Sequence, residues 1–299
     1  MRILILGQVD GGLNGELVQA AQSRGHRCEV VSIPSVRSTL GSSCVKLQAK
    51  SDTELEIDLR EFDVCLMRGM PPGSLEQIIY RMDLLWTLEQ TGMPILNPPK
   101  AMECAIDKFL TLSRCQQAGL SIPESSCSET VEEALTAFQE LGGDVVAKPI
   151  FGAEGRGMLR LTDLETARRV FYTWQQIGAV LFQQRFIDAE MSDIRVMVLD
   201  GKAIGAIQRT GTNDFRANCA QQGTAQRHEL TQEEVELAVS ACRATGVIFG
   251  GVDLIRDTDG QLYLLEVNAC PGWKHFQAVT EINVPQRLMS WLETSYSAV

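Results

Sequence analysis

The chain has little of what several common kinds of functional site require. It contains three histidines in 299 residues, and its nine cysteines include no Cys-x-x-Cys pair. Structural zinc sites need closely spaced cysteine and histidine ligands, so this spacing argues against one. The odd number of cysteines, their irregular spacing and the absence of a signal peptide predict reduced thiols in a cytoplasmic protein.

Positive charge and long apolar runs are also scarce. The sequence has 38 acidic and 27 basic residues, which gives a net charge of −11. Because nucleic-acid binding depends on a basic surface that neutralises phosphates, we expect no nucleic-acid partner. No apolar run approaches the roughly 18–20 residues of a membrane span, so we expect no membrane partner. The length and the hydrophobic content of 44% instead predict a large core in two or three compact subdomains.

Residues 1–97 have the pattern of a βαβ block. A short apolar strand ends at Gly7, a helical stripe follows, and a second strand covers 28–33, which predicts a parallel sheet. The segment after Gly7 lacks the Gly-x-Gly-x-x-Gly spacing of a nicotinamide-dinucleotide site, and Ser32 stands where an acid is expected. The other predicted elements of this block are a loop or small hairpin over 35–60, a strand over 62–67, a helix over 74–90 and a strand over 93–96.

Two further blocks follow, over residues 98–180 and 181–299. In the second block we predict a helix over 101–118, strands over 121–125, 144–150 and 158–161, and helices capped by Thr130 and Thr162. In the third block we predict a strand over 180–187, a hairpin of 193–199 with 202–209, a polar loop over 210–227, a helix capped at Thr231 that stops at Gly246, and a closing helix over 284–294.

A glycine-rich loop over 152–157 follows the strand that carries Lys148. Glycines allow backbone N–H groups to approach phosphate oxygens, and Lys148 and Arg156 add positive charge. The loop is not a Walker A motif, because no Gly-Lys-Ser/Thr follows. It is not a protein-kinase loop either, because there the glycines precede the lysine. On local evidence alone, a simple glycine-rich turn remains the alternative.

A predicted hairpin near the C-terminus carries three oxygen ligands. Apolar strands over 252–255 and 262–267 are joined by Asp-Thr-Asp-Gly, which favours a tight turn. Asp253 lies on the first strand. Glu266 and Asn268 lie two residues apart on the second, so they share a face. Carboxylates at core-like positions are costly unless positive charge pairs with them, and oxygen ligands suit Mg²⁺. The alternative is a half-buried hairpin whose polar residues face water.

Several basic and polar residues are ambiguous when they are taken one at a time. Each could bind an anionic oxygen or lie on a solvated surface. They are Lys108, Arg195, Arg209, Arg216 and Asn218. Cys270 has no histidine partner in view, so we interpret it as a packing residue.

The joint order of these motifs resembles the ATP-grasp superfamily, and more closely its RimK-type α-L-glutamate ligases. The segments that carry the resemblance are Asp107-Lys108, Val146–Lys148, Gly152–Gly157, Gln184–Ile187, Asp193–Arg195, Asp214–Asn218, Gly251–Asp253 and Glu266–Gly272. The resemblance implies an ATP-grasp fold of mixed α/β and α+β type. Residues 1–97 would be a Rossmann-like pre-ATP-grasp domain, 98–180 a central subdomain with a glycine flap, and 181–299 a C-terminal subdomain with the metal site.

The resemblance also implies a role for each candidate residue. ATP would lie between the second and third blocks. Its phosphates would contact Lys108, Lys148, Gly155, Arg156 and Gly157. The adenine hinge would be Gln184, Arg185, Phe186 and Ile187, acting mainly through the backbone, with Asp193 near the ribose. Two Mg²⁺ or Mn²⁺ ions would be held by Asp253, Glu266 and Asn268. Arg216 and Asn218 would hold the acyl phosphate and the incoming amino acid, and Lys148 and Arg216 would be catalytic.

Two positions depart from the pattern that such ligases share. Arg185 stands where the hinge commonly has an acid, and Gly223-Thr224 stands where the polar loop commonly ends in Gly-Gly. The change to Arg185 could alter the preference for one nucleotide base, whereas recognition of the base through the backbone should survive. The second could reshape the pocket of the acceptor.

The reaction implied by the resemblance is the joining of L-glutamate to a small-molecule carboxylate acceptor through an acyl phosphate. No enzyme nucleophile is needed, because cations stabilise the transferred oxygens. Segments 68–83 and 268–273 are similar to the branch that modifies tetrahydromethanopterin-type C1-carrier coenzymes. The alternatives are a peptide or protein acceptor, a kinase on the same scaffold, and a non-catalytic nucleotide-binding protein. By analogy with relatives, the expected assembly is a homodimer or homotetramer.

Overall fold

The computed structural model describes residues 1–9, 11–41, 45–50, 56–152, 157–190, 192–211 and 224–296. The chain divides into two compact units. The first unit comprises Met1–Glu103, Gly246–Phe249 and Ala269–Val299, and the second comprises Cys104–Thr245 and Gly250–Asn268. Of the described helices, none is long and apolar enough to cross a membrane.

A four-stranded parallel sheet forms the centre of the first unit. The elements along the chain are β1 (Arg2–Leu6), α1 (Gly12–Ser23), β2 (Arg27–Val31), β3 (Arg37–Thr39), β4 (Lys46–Lys50), β5 (Glu56–Asp58), β6 (Val64–Met67), α2 (Leu75–Gln90) and β7 (Ile95–Leu96). The sheet order is β2-β1-β6-β7. β1 and β6 are apolar and buried almost throughout, as expected for parallel strands covered on both faces. The predicted βαβ unit is confirmed.

The polar stretch between β2 and β6 forms a separate small sheet. β3, β4 and β5 pair in this order, and both pairings are antiparallel. This agrees with the expected small hairpin, although residues 51–55 lie outside the described part of the chain.

The second unit is built on two sheets. Its elements are α4 (Lys108–Gln117), β8 (Ser125–Ser128), α5 (Val131–Glu140), β9 (Val145–Lys148), β10 (Leu159–Leu161), α6 (Leu164–Gln176), β11 (Leu181–Arg185), β12 (Ser192–Leu199), β13 (Lys202–Thr210), β14 (Thr224–His228), α7 (Gln232–Thr245), β15 (Phe249–Arg256) and β16 (Leu262–Asn268). One sheet has the order β10-β9-β11-β8, and the other has the order β14-β13-β12-β15-β16. Helices α5 and α6 pack on the first sheet around Phe138, Phe171 and Leu181.

Three helices complete the chain. α3 (Pro99–Ile106) stands between the two units in the sequence, and α8 (Lys274–Thr280) and α9 (Val284–Tyr296) belong to the first unit. The closing helix α9 was expected from its apolar pattern, but α8 was not. The association of residues 269–299 with the N-terminal block is also absent from the sequence-based prediction. The division into three blocks stays a prediction.

The prediction of a single helix over 101–118 is wrong, because the helix is interrupted at Asp107 and a second helix begins after it. The Asp107 side chain accepts a hydrogen bond from the Leu110 backbone N–H at 3.0 Å and caps α4. Asp107 thereby supplies an acceptor for an N–H group that has no partner within the helix. The break places Lys108 at the first residue of α4.

Other predicted boundaries also shift. The strand expected over 121–125 is found as β8, three to four residues later. Asp163 rather than Thr162 caps α6, since its side chain accepts from the Thr166 N–H. Thr231 and Glu234 form the predicted reciprocal capping box of α7, and Gly246 ends that helix with φ +76°.

Asn97 connects three segments of the first unit through its buried amide. The side chain is 1% exposed. Its Nδ2 group donates to the carbonyl oxygens of Phe249 and Ala269, both at 2.6 Å, and its Oδ1 atom accepts from the N–H groups of Ile248 and Phe249 at 2.8 and 2.9 Å. Four bonds to one side chain fix residues near 248 and 269 to the end of β7.

We predict that Asn97→Ala lowers the free energy of unfolding by about 3 kcal/mol or more, because it leaves buried backbone groups without partners. Urea denaturation followed by circular dichroism measures this loss. The comparison variant is Asn283→Ala, which removes an exposed bond from Asn283 Oδ1 to the N–H of Gln286 at the start of α9. That variant should cost only about 1 kcal/mol. Equal losses in the two variants would contradict the structural role of Asn97.

Candidate active site

The hairpin of β15 and β16 brings two carboxylates directly opposite each other. Its antiparallel register pairs Asp253 with Glu266 and Gly251 with Asn268, and it shifts between Asp253 and Leu254. Adjacent strands place opposite side chains about 5 Å apart at Cβ. The predicted hairpin is confirmed, and the register shift places Asp253 opposite Glu266.

Two arginines neutralise Asp253. Asp253 is 5% exposed. Its carboxylate accepts two parallel hydrogen bonds from Arg195, from Nε to Oδ1 and from Nη2 to Oδ2, both at 2.6 Å. Arg209 Nη2 lies 2.9 Å from Oδ2. A planar guanidinium matches a carboxylate with two parallel bonds, so this is strong compensation for a buried charge.

Arg209 also binds Asp193, which lies directly opposite it in the β12–β13 register. Its Nε and Nη2 groups donate to the two oxygens of Asp193 at 2.6 and 2.7 Å. Arg209 is only 3% exposed, so of the two alternatives it binds anionic oxygens and does not lie on a solvated surface. Asp193, Arg209, Asp253 and Arg195 form one chain of ion pairs. The expected place of Asp193 near a ribose stays a prediction.

The environment moves the pKa values of the two carboxylates in opposite directions. Burial alone would raise the pKa of Asp253, but Arg195 and Arg209 together hold it well below its usual range. For Glu266, burial and the neighbouring Asp253 carboxylate raise the pKa, against the attraction of Arg195, Lys108 and Lys148. Arg195 Nη2 is 3.8 Å from Glu266 Oε1. Glu266 is therefore the carboxylate of the pair with less positive charge in contact.

Lys148 ends β9 and is almost completely buried, with 7% exposure. Its Nζ atom donates to Gln184 Oε1 at 2.6 Å. Ser125 orients that amide, because its Oγ accepts from Gln184 Nε2 at 2.9 Å. Burial lowers the pKa of Lys148 to about 8, and Glu266 and Asp253 oppose this shift. The bond between Lys148 and Gln184 could not be predicted from local sequence patterns, because the two residues lie 36 positions apart on different strands.

Lys108 approaches the same site from the start of α4. Its Nζ donates to the carbonyl oxygen of Gly152 at 3.0 Å, next to the glycine-rich loop. Burial lowers its pKa, while Glu266 and Asp107 raise it. The positive charge of Lys108 also acts to lower the pKa of Lys148. Lys108 is therefore a residue of this site rather than an isolated surface lysine.

The predicted hinge residues follow one another at the end of β11. The Arg185 N–H donates to the Glu124 carbonyl, and its guanidinium lies 3.1 Å from the Glu124 carboxylate. The Phe186 N–H donates to the Asp144 carbonyl, and Arg160 stacks over the Phe186 ring. The Ile187 N–H has no hydrogen-bond partner among the described residues. That group suits the backbone recognition of adenine expected here.

Some predicted site residues lie outside the described part of the chain. They are Gly155, Arg156, Arg216 and Asn218, together with Gly223. Gly157 is described and adopts φ +75°, and a Cβ atom there would lie 2.9 Å from Pro149 Cγ. Both features require glycine at the end of the loop.

The donor set of the hairpin fits Mg²⁺. Within the described ranges, no three His, Cys, Asp or Glu side chains cluster as a metal site. Asp253 and Glu266 provide two carboxylates and Asn268 a third oxygen on the same face as Glu266. Mg²⁺ commonly takes only one or two carboxylates and completes its octahedron with waters and phosphate oxygens. These three residues are thus sufficient as the protein's contribution.

Comparison with known proteins identifies the family. The sequence profile of the RimK-like ATP-grasp domain matches residues 105–292, and that of the N-terminal domain of prokaryotic glutathione synthetase matches residues 14–103. The chain belongs to the RimK-like ATP-grasp family. It is an ATP-dependent ligase that forms C–N bonds, and its relatives use ATP and Mg²⁺.

Individual relatives agree with this assignment. The chain is 32% identical to the tetrahydromethanopterin:alpha-L-glutamate ligase of Methanocaldococcus jannaschii, over 77% of this chain and 79% of that protein. It is 28% identical to a probable alpha-L-glutamate ligase of Enterobacter sp. (strain 638), over 98% and 96%. The solved structure of the ATP-grasp ligase PsnB with minimal precursor, Mg and ADP is similar in fold, with a TM-score of 0.74, 19% identity and coverage of 99% and 98%.

We predict that the affinity of this ligase for ATP falls as pH rises above about 8. The nucleotide-free enzyme loses the Lys148 proton near this pH, whereas phosphate would keep the ammonium charged. ATP binding must then take up a proton, and the Kd rises by up to tenfold per pH unit. Isothermal titration calorimetry between pH 7 and 10 measures this trend. In Lys148→Arg, whose guanidinium stays charged, the trend should flatten. An equal rise of the Kd for ATP with pH in the wild-type enzyme and in Lys148→Arg would refute this prediction.

Proposed function

We propose that this ligase activates a carboxylate acceptor with ATP and joins it to the amine of L-glutamate, and that the acceptor is a pterin-type C1-carrier coenzyme. The observation that carries the proposal is the charge arrangement of the second unit. There Glu266 lies opposite Asp253 in the β15–β16 register, and its carboxylate acts to raise the pKa of both Lys108 and Lys148. Cations and metal-binding carboxylates in one site are suited to phosphoryl transfer.

The proposed reaction has two steps, formation of an acyl phosphate and its displacement by the amine. A carboxylate oxygen of the acceptor attacks the γ-phosphorus of ATP, the bond to the β-phosphate oxygen breaks, and ADP leaves. The neutral amine of glutamate then attacks the acyl carbon, the bond between that carbon and the phosphate oxygen breaks, and the proton that the amine loses passes to the released phosphate. Lys108 and Lys148 would stabilise charge on the transferring oxygens, and Arg216 and Asn218 would hold the acyl phosphate and the amino acid.

Asp253, Glu266 and Asn268 would hold two metal ions, which when bound offset the negative charge of the phosphates. Arg195 donates to both oxygens of Asp253 and Arg209 contacts Oδ2, so Oδ1 accepts only one of these bonds and keeps a lone pair for a metal ion. These guanidinium groups keep the carboxylate ionised and fixed in orientation, so the metal ligand is preorganised. The adenine would contact the backbone of Arg185 and Ile187. Arg185 itself is engaged by Glu124, which supports recognition through the backbone despite the missing acid.

The names of relatives support a glutamate donor and a pterin-type acceptor. Three archaeal relatives, each 30–32% identical to this chain, are named tetrahydromethanopterin:alpha-L-glutamate ligases. A peptide acceptor is the second candidate, because the PsnB structure contains a minimal precursor. The net charge of −11 disfavours an acidic protein tail as the acceptor, since like charges repel. The small coenzyme is therefore our first choice.

We predict that Glu266→Gln lowers the rate of ADP release at least about 100-fold while the protein keeps its fold, because a neutral amide cannot supply the negative charge that Glu266 provides to the metal ions. Coupled ADP assays measure turnover, and circular dichroism with thermal melting checks the fold. Glu140→Gln is the matched control, since Glu140 is an exposed residue at the end of α5. Full activity of Glu266→Gln would refute the metal assignment.

We predict that ADP release with L-glutamate is stimulated by one member of a panel of tetrahydrofolate, other pterin, furan and glutamate-ended peptide acceptors. Stoichiometric phosphate release that depends on glutamate supports the ligase. A phosphorylated product formed without an amine would instead identify a kinase. Stimulation by peptides and not by pterins would overturn the preferred acceptor, and no stimulation by any acceptor would count against the proposed donor and acceptors.

A further inference from the structure

A second cationic site lies in the first unit, at the carboxyl edge of its parallel sheet. Arg68 directly follows β6, and its backbone N–H donates to the Leu6 carbonyl at the end of β1 at 2.8 Å. From these two central strands the connections diverge, since α1 leads to β2 on one side and α2 leads to β7 on the other. In open α/β sheets, ligands bind outside the carboxyl ends of the strands at such a point.

The Arg68 guanidinium is enclosed without a matching negative charge. Its Cζ atom lies 4.4 Å from the centre of the Trp273 ring, and Nη2 donates to the Pro271 carbonyl at 2.8 Å. The Nε atom is buried without any hydrogen-bond partner. Within the described part of the chain, no carboxylate lies within ion-pair distance of Arg68, and its Nη1 group has no partner. Burial also lowers its pKa. An enclosed cation with only neutral neighbours is costly unless an anion compensates it.

The surroundings of Arg68 hold it in place rather than neutralise it. Glu16, an acid of the neighbouring helix α1, is already engaged, because it accepts from Trp273 Nε1 at 2.8 Å and from Gln277 Nε2 at 3.1 Å. These bonds fix the indole on which the guanidinium stacks. An arginine stacked on a ring and anchored at one nitrogen keeps its planar fork oriented, which favours bidentate binding of a carboxylate.

The first turn of α1 adds to the positive potential of the same edge. A Cβ atom placed on Gly7, which directly follows β1, would lie 3.2 Å from Arg68 Cβ, so the loop into α1 passes against Arg68. Gly11 caps α1 without a side-chain hydrogen bond, and the first turn contains no acid. Helix N-termini favour anions through their exposed N–H groups and dipole. A half-buried arginine whose Nε atom has no partner and a helix end without a side-chain cap therefore meet at one place.

We propose that Arg68, with the first turn of α1, binds a carboxylate of an organic substrate of this ligase that does not itself react. The inference rests on the proposed function, because L-glutamate carries two such carboxylates and a glutamate-ended acceptor carries one. The shared chemistry is an aliphatic carboxylate. Arg68 is a substrate-binding residue in this account, distinct from the lysines and carboxylates of the second unit.

Binding to the full-length enzyme tests the proposal without turnover. Isothermal titration calorimetry is performed with L-glutamate and with N-acetyl-L-glutamate, which presents the carboxylates but cannot act as the amine. We expect Arg68→Gln to raise the Kd of at least one probe about tenfold or more, as for the loss of a charged hydrogen bond. Arg68→Lys should restore part of the affinity. The control is Arg27→Gln, which removes an equal charge from an exposed position of β2.

The pattern of losses identifies the source of the carboxylate. A weaker affinity for L-glutamate alone assigns Arg68 to the amine substrate, and a weaker affinity for N-acetyl-L-glutamate alone assigns it to the acceptor. Affinities for both probes that are unchanged in Arg68→Gln, or the absence of binding to the wild-type enzyme, overturn the proposal. Urea denaturation and ATP binding by the variant check that it is folded.

The proposed function can fail independently of this inference. If glutamate-dependent ADP release occurs while Arg68→Gln binds both probes normally, only the Arg68 site is refuted. If Arg68-dependent binding is observed but no acceptor stimulates ADP release, only the proposed reaction is refuted.

Discussion

The buried carboxylate of Asp253 is the constraint on which the second unit depends. A charge at the centre of a sheet is costly unless cations contact it, and both of its oxygens are met by Arg195 and Arg209. Arg209 is in turn held by Asp193 across the β12–β13 pair. Ion pairs as well as backbone hydrogen bonds therefore connect the three neighbouring strands β13, β12 and β15. The same network orients the residue that we propose as a metal ligand.

The charge on the two lysines follows from these carboxylates. Burial favours the neutral amine of Lys148, and the repulsion between Lys148 and Lys108 acts in the same direction. Glu266 and Asp253 oppose both effects, so the pKa of Lys148 settles near 8 rather than lower. The site therefore favours the binding of an anion, because an added phosphate group would stabilise the charged ammonium groups of both Lys108 and Lys148. The carboxylates alone leave the lysines only partly compensated.

Local patterns in the sequence predicted most strands and the caps at Thr130 and Thr231, but not the pairing between distant residues. The hairpin of β15 and β16 was predictable from residue alternation and a short turn. The register shift between Asp253 and Leu254, which places Asp253 opposite Glu266, was not. The burial of Arg209 was not, because a polar segment beside a strand looks solvated until its cross-strand partner Asp193 is known. The bond between Lys148 and Gln184 crosses 36 positions. Likewise, the apolar pattern over 101–118 fits one continuous helix, and the interruption at Asp107 arises from the hydrogen bond by which its side chain caps α4.

Net charge and local charge act over different distances in this ligase. The surplus of acidic residues extends over the whole chain, and at physiological salt exposed charges are screened beyond about 8 Å. Buried cations such as Lys148 and the enclosed guanidinium of Arg68 are screened far less, because little water surrounds them. An acidic composition therefore argues against a broad polyanion such as nucleic acid, whose binding needs an extended basic surface. It does not argue against nucleotides or small carboxylates, which each contact only a few buried cations.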